Sequence, residues 1–251
     1  MYDGAVIHTL PVGVGALAAA AQVLLLRELI VAAGGNELAA GLGLATWLVL
    51  SGLGAAAGGA LARRTRPGRA LLGALAVAVV ALVAAPWALQ GLRAALLPVA
   101  GTAASPGQVL VLGALALGPA CAALGAAFPL LCRLDPDPEG RGPARVFALE
   151  AVGFAAGALA LGLAPGWTGA VVAGPVDAGV VQRDTRAGRV RIEAHGVQHD
   201  VFVDGRWVLA SPDPEGDELD AHVALLHHPG PRRVLIVGAL TGGVVERALQ
   251  H

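Results

Sequence analysis

A turn of small residues near the end of the chain is the first candidate for chemistry. It runs from 238 to 243 as Gly-Ala-Leu-Thr-Gly-Gly, after the apolar run 234–237 and before a helical stretch that begins at Val244. A strand, a glycine turn and a helix N-terminus together cradle nucleotide-like ligands, because glycine permits close backbone approach and the helix start offers free N–H groups. The alternative is a tight turn without a ligand, which the bulky Leu240 favours. The predicted cofactor-binding residues are Gly238, Thr241, Gly242 and Gly243.

Polar residues inside or beside long apolar runs form a second candidate site. Ionisable side chains are costly in lipid, so they usually face a cavity or one another. A polar pocket that binds or passes a small charged molecule is one interpretation, with Arg27 paired to Glu37 or Glu150. The alternative is an interfacial position at a helix end, which is favoured for Glu37 and Glu150. The predicted membrane polar cluster consists of Gln22, Arg27, Glu28, Glu37 and Glu150.

Three histidines, His222, His227 and His228, raise the alternative of a metal site. Asp217 and Asp220 lie nearby in the chain. The spacing of these side chains does not match a zinc motif. We therefore predict no metal site.

The elements that must position these residues differ between the two parts of the chain. Hydrophobic residues make up 56% of the 251 residues, and the mean hydropathy is +0.69. Five apolar runs, at roughly 5–33, 39–62, 70–97, 107–132 and 146–172, are each long enough to cross a hydrocarbon core of about 30 Å. The sequence thus predicts a helical transmembrane domain over 1–174, with the lipid bilayer as partner. The net charge of -1 argues against nucleic acid as a partner.

The loops between the apolar runs predict an orientation. The loop at 63–69 carries four arginines and the loop at 133–145 carries three, so both are expected in the cytoplasm. The N-terminus is then cytoplasmic, and five crossings place the tail outside, where a nucleotide-site domain is not expected. Either a re-entrant segment at 161–181 or a first run that does not cross would remove this conflict.

Small residues at two helical spacings could bring helices together within this domain. Gly54 and Gly58, and likewise Gly153 and Gly157, have the small-xxx-small spacing that lets helices approach closely in lipid. In a chain this rich in glycine and alanine, such spacings are also expected by chance.

The pattern changes after residue 175. Short, partly alternating runs follow, and Asp204-Gly205 between two of them is a strong hairpin signal. These runs predict a small antiparallel β unit over 175–216. A helix from about Asp217 to Leu226 is expected next, followed by the apolar strand at 234–237. The range 217–251 is thus predicted to be the start of an incomplete Rossmann-like α/β domain.

Two stretches of the chain together resemble the multi-span bacterial membrane proteins that carry a spermidine synthase-like domain. The first stretch is Gln22, Arg27-Glu28, Gly35-Asn36-Glu37-Leu38 and Trp47-Leu48. The second is laid out as in polyamine aminopropyltransferases. It comprises Val203-Asp204-Gly205, Glu218, His222, His228-Pro229-x-Pro231, 234–238, Gly242-Gly243-Val244, Glu246-Arg247 and Leu249-x-His251.

The resemblance implies an activity and a location. It implies transfer of an aminopropyl group from decarboxylated S-adenosylmethionine to a diamine, without a metal. It also implies that Asp217, Glu218 and His222 bind a polyamine or another small cationic ligand, since cations need anionic pockets. The expected location is the bacterial inner, or cytoplasmic, membrane, with several passes.

Departures from the family pattern limit this expectation. The family turn has the form Gly-Gly-Gly-Asp-Gly-Gly, whereas Leu240 and Thr241 interrupt it here. The later strands, which carry the ribose-binding and catalytic acids, are not in this sequence. No catalytic residue is therefore predicted, and the chain alone is expected to be inactive unless an assembly such as a homo-oligomer completes the fold.

Two other classes of function stay open. Gln22, Arg27, Glu28 and Glu150 favour a membrane transporter or small-molecule-binding module whose tail is regulatory. A structural membrane protein without a small-molecule role is the third alternative. Binding of an adenosyl nucleoside would distinguish the first hypothesis from both.

Overall fold

The two parts of the chain form two compact units. The computed structural model describes residues 4–97, 99, 101–135, 139–163, 179–185, 188–238 and 243–250. One unit comprises Met1–Val99 and Ala103–Pro175, and the other comprises Ala100–Thr102 and Val176–His251. The first unit is helical, and the second contains the β-sheet.

Among its described residues, the helical unit contains five helical segments that are long and apolar enough to cross a membrane. The fourth segment, Pro106–Leu134, combines two helices with an intervening π-helical turn. The prediction of about five long apolar helices is confirmed. The elements are α1 (Gly4–Ala32), α2 (Glu37–Arg64), α3 (Pro67–Leu96), α4 (Pro106–Leu112), the π-helical turn (Gly113–Leu117), α5 (Gly118–Leu134) and α6 (Gly142–Leu163).

Local sequence explains where several of these helices begin and end. Gly34 and Gly35 have φ of 86° and 68°, the left-handed conformation that follows many helix ends, and they terminate α1. The Asn36 side chain then accepts a hydrogen bond from the N–H of Ala39 at 3.1 Å and caps α2. Ser105 and Gln108 form a reciprocal capping box at the start of α4.

Helices α1 and α6 pack closely through glycine. A Cβ on Gly15 would overlap the carbonyl of Glu150, and a Cβ on Gly153 would overlap the carbonyl of Val12. Gly157 lies against Ala16 in the same way. Because 12 meets 153 and 16 meets 157, the two helices run in the same direction.

Helices α2 and α5 also pack closely through glycine. Gly54 lies against Ala122, and Gly58 lies against Ala126, so these helices are also parallel. On the opposite side of the contact, Gly125 of α5 lies against the carbonyl of Ser51. Both small-xxx-small spacings found in the sequence therefore lie at real helix contacts, where a missing Cβ allows close approach.

Large apolar side chains fill the helical unit and also cover its outside. The inner cluster includes Leu25, Leu29, Leu89, Leu112 and Leu117, each 2% exposed or less. Many others point outward, an arrangement that is stable against lipid but not against water. Outward-facing examples are Leu48, Val49, Leu53, Leu72, Val80, Phe147, Leu159 and Leu163.

The second unit contains a four-stranded antiparallel sheet in the order β1-β2-β3-β4. The prediction of a small antiparallel β unit is confirmed. Asp204 and Gly205 connect the last two strands with φ of 49° and 79°, as the hairpin signal predicted. The strands are β1 (Val180–Thr185), β2 (Gly188–His195), β3 (Gln198–Val203) and β4 (Arg206–Ser211).

Two helices follow the sheet, α7 (Pro214–Leu225) and α8 (Val244–Leu249). Both agree with the helices predicted from the sequence. The strand predicted at 234–237 is wrong, because residues 231–237 form neither helix nor strand. A strand exists only by pairing with a neighbour. No described strand pairs with this run, and Leu235 and Val237 are 88% and 86% exposed.

Candidate functional site

A cavity of about 310 Å³ lies between α7 and α8, and it contains two of the predicted substrate-binding residues. Its wall on α7 carries Glu218 and His222, and its wall on α8 carries Arg247 and Gln250. Ala221, 3% exposed, lies between the two walls as a small apolar lining residue. The cavity therefore combines acidic, basic and neutral polar groups around one space.

The local sequence of α7 explains why its polar residues share one side. Asp213 caps the helix by accepting a hydrogen bond from the N–H of Gly216 at 3.1 Å, and Pro214 occupies the first turn. Ala221 and Leu225 are the buried residues of the helix. Glu218 and His222 are four residues apart, so they are neighbours on the helix surface. The His222 Nε2 and Glu218 Oε1 atoms are 3.6 Å apart.

Asp217, the third predicted substrate-binding residue, joins the two helices. Its Oδ2 accepts a hydrogen bond of 2.7 Å from the N–H of Gly243, the residue that precedes α8. A Cβ on Gly243 would lie 2.6 Å from that same oxygen, so a larger residue at this position would displace the Asp217 carboxylate. Asp217 thus fixes the separation of the cavity walls instead of lining the cavity.

Arg247 and Gln250 were not among the predicted site residues. The Arg247 Nη1 donates to the Gln250 Oε1 at 3.3 Å, a contact between residues three apart on one helix. The resemblance had included the Glu246-Arg247 pair, and the helix predicted from Val244 placed both residues on its surface. The sequence did not indicate which side of α8 faces α7.

Only part of the predicted glycine turn lies in the described residues. Gly238 has a φ of 79°, which side-chain-bearing residues rarely adopt, so a glycine is needed at this bend. Thr241 and Gly242 lie outside the described residues. Gly243 begins α8 and is bound to Asp217. The structure therefore describes two parts of this turn, namely a tight bend at Gly238 and a fixed helix start at Gly243.

The predicted membrane polar residues differ in burial. Glu28 is buried, with 7% exposure, on the side of α1 that also carries the buried Leu25 and Ala32. Gln22 and Arg27 are half-buried. Glu37 is exposed in the first turn of α2, where its charge is favourable for the helix dipole. Its position agrees with the interfacial alternative.

The predicted pairing of Arg27 with Glu150 is wrong. Glu150 lies on α6 beside Gly15 of α1, and Arg27 is twelve residues farther along α1. At 1.5 Å per residue this is a separation of roughly 18 Å along the helix axis, beyond the reach of both side chains. Arg145, the arginine nearest to Glu150 in sequence, donates from its Nε to Asp135 at 2.9 Å.

A further buried polar contact in the helical unit was not predicted. Arg93, near the end of α3, donates from its Nη1 to the carbonyl oxygen of Ala32, the last residue of α1. The last carbonyls of a helix lack partners within it and carry partial negative charge, so a guanidinium caps them well. The available signal was weak, namely a single arginine late in a long apolar run.

Comparisons with known proteins gave no match for this chain, whether to a protein-family model, a curated protein or a solved structure. In the part of the chain that the structure describes, no three His, Cys, Asp or Glu side chains come together as a metal ion would require. The α7–α8 cavity is a candidate site whose function must be argued from its side chains.

Proposed function

We propose that the chain is an integral membrane protein with a spermidine synthase-like unit that binds an adenosyl nucleoside and a small cationic amine. The observation that carries this proposal is the α7–α8 cavity. It collects Glu218 and His222, which the resemblance had named as substrate-binding, while Asp217 ties its walls together. Carboxylate and imidazole groups beside a cavity of ligand size are suited to hold an amine.

The order of elements supports the same proposal. A small antiparallel β unit precedes α7, in the arrangement that the resemblance implies for aminopropyltransferases. The proposal includes a Rossmann-like fold around the residues that follow α7. The exposed apolar side chains of Val234, Leu235 and Val237 would be buried there by a neighbouring chain, for example in a homo-oligomer.

The five apolar helices support a membrane location, and the proposed membrane is the bacterial cytoplasmic membrane. The proposed chemistry is related to aminopropyl transfer from decarboxylated S-adenosylmethionine to a diamine. We propose a role in binding for Asp217, Glu218 and His222, and we assign no catalytic residue.

Calorimetric titration of the full chain in detergent with methylthioadenosine tests the nucleoside part of this proposal. Methylthioadenosine has no amine, so it reports on the nucleoside alone. We expect saturable binding in the micromolar range. Absence of heat with methylthioadenosine, S-adenosylmethionine and decarboxylated S-adenosylmethionine would contradict the proposal.

The amine part is tested with Glu218→Gln, using Glu215→Gln on the same helix outside the cavity as the control. Removing the charge of Glu218 should weaken the binding of decarboxylated S-adenosylmethionine about tenfold, the effect of one partly exposed charge-assisted hydrogen bond. The affinity for methylthioadenosine should not change. Equal effects of the two variants would argue against an amine site on α7.

A second candidate function, transport or binding of a small charged molecule by the helical unit, is favoured by Glu28. A buried carboxylate in a membrane helix is costly, so it is by default a candidate for a functional role. The next residue, Leu29, lies near Gly113 in the π-helical turn, which also faces Thr46. Such turns are frequent at functional sites.

Uptake of labelled putrescine into proteoliposomes tests this second function. Glu28→Gln should abolish uptake, whereas Glu37→Gln, which alters an exposed carboxylate, should not. Absence of uptake by the unaltered chain, or unchanged uptake by Glu28→Gln, would rule the second function out for putrescine.

A further inference from the structure

The α7–α8 cavity presents opposite charges on its two walls. Glu218 supplies a carboxylate from α7, and Arg247 supplies a guanidinium from α8. Each charged group has a polar neighbour on its own helix. His222 lies 3.6 Å from Glu218, and Gln250 accepts a hydrogen bond of 3.3 Å from Arg247. A single ligand in this cavity can therefore contact a carboxylate, which binds cations, and a guanidinium, which binds anions, at the same time.

We propose that this cavity binds the α-amino carboxylate group of an amino acid or of an amino-acid-bearing nucleoside. The ammonium group of the ligand is held by Glu218, and its carboxylate is held by Arg247. The planar guanidinium matches a carboxylate because it can donate two parallel hydrogen bonds to it. This inference rests on the proposed function only for the nucleoside part. For the amine part, it replaces the simple cationic amine of the proposed function with a zwitterion at the same cavity.

Arg247 also disfavours the binding of ligands that lack a carboxylate. A decarboxylated donor or a diamine carries positive charge alone, so it brings a like charge towards Arg247 and leaves the guanidinium without its anionic partner. Sites that lose a charged partner in this way discriminate strongly between analogues. The cavity is thus expected to prefer a zwitterion over the corresponding amine.

The size and the frame of the cavity fit this role. A volume of about 310 Å³ is at the lower end of the range for small-molecule sites, about 300–1,000 Å³. It accommodates an amino-acid head group, with the rest of a larger ligand extending away. The Asp217–Gly243 hydrogen bond holds α7 and α8 together, so the two charged walls keep their separation.

Two matched pairs of ligands test the inference on the full chain in detergent. The first pair is S-adenosylmethionine and its decarboxylated form. The second pair is L-methionine and 3-(methylthio)propylamine, which differ by the same carboxylate but lack the nucleoside. We expect the carboxylate-bearing member of each pair to bind about tenfold more tightly, because it gains one charge-assisted interaction with Arg247.

Variants of Arg247 identify the group responsible. Arg247→Gln should remove the preference within each pair and leave the affinity for methylthioadenosine unchanged, and Arg247→Lys should retain part of the preference. Arg232→Gln is the control, because Arg232 is exposed and outside the cavity. Circular dichroism of each variant shows whether its helix content is retained.

The outcomes separate this inference from the proposed function. Equal affinity within both pairs, or a preference that survives Arg247→Gln, would overturn the zwitterion site while methylthioadenosine binding upheld the nucleoside site. A preference for L-methionine without binding of any nucleoside would uphold the zwitterion site and overturn the proposed function. Absence of binding by all five ligands would overturn both.

Discussion

At the residue scale, Asp217 joins parts of the chain that are 26 positions apart. Its carboxylate is half-buried and receives the N–H of Gly243. From sequence, an acid on the exposed side of a short helix is equally suited to hold a ligand or to cap a neighbour. The contact with Gly243 assigns it the second role, while Glu218, one position farther along the helix, faces the cavity.

We predict that Asp217→Ala loosens α8 from α7. The substitution removes one charge-assisted hydrogen bond, which at a half-exposed position contributes about 1 kcal/mol. Hydrogen exchange of the amides in 243–250, measured by mass spectrometry on the full chain in detergent, should become about fivefold faster. Asp220→Ala, an exposed neighbour on the same helix, should leave that exchange rate unchanged. Similar rates in the two variants would contradict the proposed joint.

A buried ion pair stabilises the sheet at the same scale. The Arg189 side chain is 6% exposed, and its Nε donates to Asp184 Oδ1 at 2.9 Å across the β1–β2 pair. The backbone N–H of Arg189 donates to Asp204 Oδ1 at 2.8 Å, which connects this pair to the β3–β4 turn. Loss of one partner from a buried pair leaves an uncompensated charge and is strongly destabilising.

We predict that Arg189→Ala lowers the free energy of unfolding of the sheet by about 3 kcal/mol. Adding Asp184→Ala to that variant should restore part of the loss, because the orphaned carboxylate is removed as well. Denaturant-dependent hydrogen exchange of peptides from 188–211 measures this stability in the full chain. Arg206→Ala, at an exposed position, is the control. Strict additivity of the two substitutions would show that the side chains are not coupled.

At the element scale, the glycines divide into those at helix contacts and those that face open space. Gly54 and Gly153 lie against the backbone of a neighbouring helix, whereas a Cβ on Gly13 or Gly52 would meet nothing within 4 Å. Gly54 and Gly153 belong to the two small-xxx-small spacings found in the sequence, but in a chain this rich in glycine and alanine the spacing alone did not establish that they lie at helix contacts. The pairing of α1 with α6, and of α2 with α5, determines which of them matter.

We predict that Gly54→Val and Gly153→Val each destabilise the helical unit by about 3 kcal/mol, since backbone cannot move aside as a flexible side chain can. Gly52→Val and Gly13→Val are the matched controls and should have effects below about 1 kcal/mol. Unfolding in sodium dodecyl sulfate, followed by circular dichroism, measures the free energy. Equal losses in all four variants would mean that helix propensity, and not packing, is responsible.

At the scale of the whole molecule, the number of crossings determines where the sheet lies. If all five apolar helices cross the membrane, the two ends of the helical unit lie on opposite sides of the bilayer. The positive-inside rule predicts that the loop between α2 and α3, which carries Arg63, Arg64, Arg66 and Arg69, is cytoplasmic. The segment invoked as an alternative, 161–181, lies largely outside the described residues, and α1 meets the criteria of length and hydropathy for a spanning helix.

We predict that a cysteine at position 65 is labelled by a membrane-impermeant maleimide only after permeabilisation of cells. Cysteines at the exposed positions 103 and 197 should be labelled in intact cells. One crossing (α3) separates position 103 from position 65, and three crossings (α3, α4–α5 and α6) separate position 197 from it, so both lie on the side opposite to position 65. The variants are Thr65→Cys, Ala103→Cys and Val197→Cys in a background without Cys121 and Cys132. Labelling of position 197 together with position 65 would require an even number of crossings and would place the cavity in the cytoplasm.

The sequence by itself determined the elements whose cause is local. Long apolar runs form helices that can cross a membrane, because every backbone polar group in lipid must be satisfied within its own segment. Asp204-Gly205 forms the β3–β4 turn, because it supplies the positive φ angles that the turn requires. The helix predicted from about Asp217 to Leu226 forms as α7, which begins earlier, at Pro214, because Asp213 caps it.

The tertiary structure decided the features that depend on which elements meet. The run at 234–237 has the composition of a strand, but it finds no pairing partner among the described strands and remains irregular. Arg27 and Glu150 have opposite charges, but the contact of α1 with α6 places them at different levels. Arg247 lines the cavity because α8 packs against α7, a contact to which the Asp217–Gly243 hydrogen bond contributes. Local composition cannot encode these outcomes, since each depends on contacts between residues far apart in the chain.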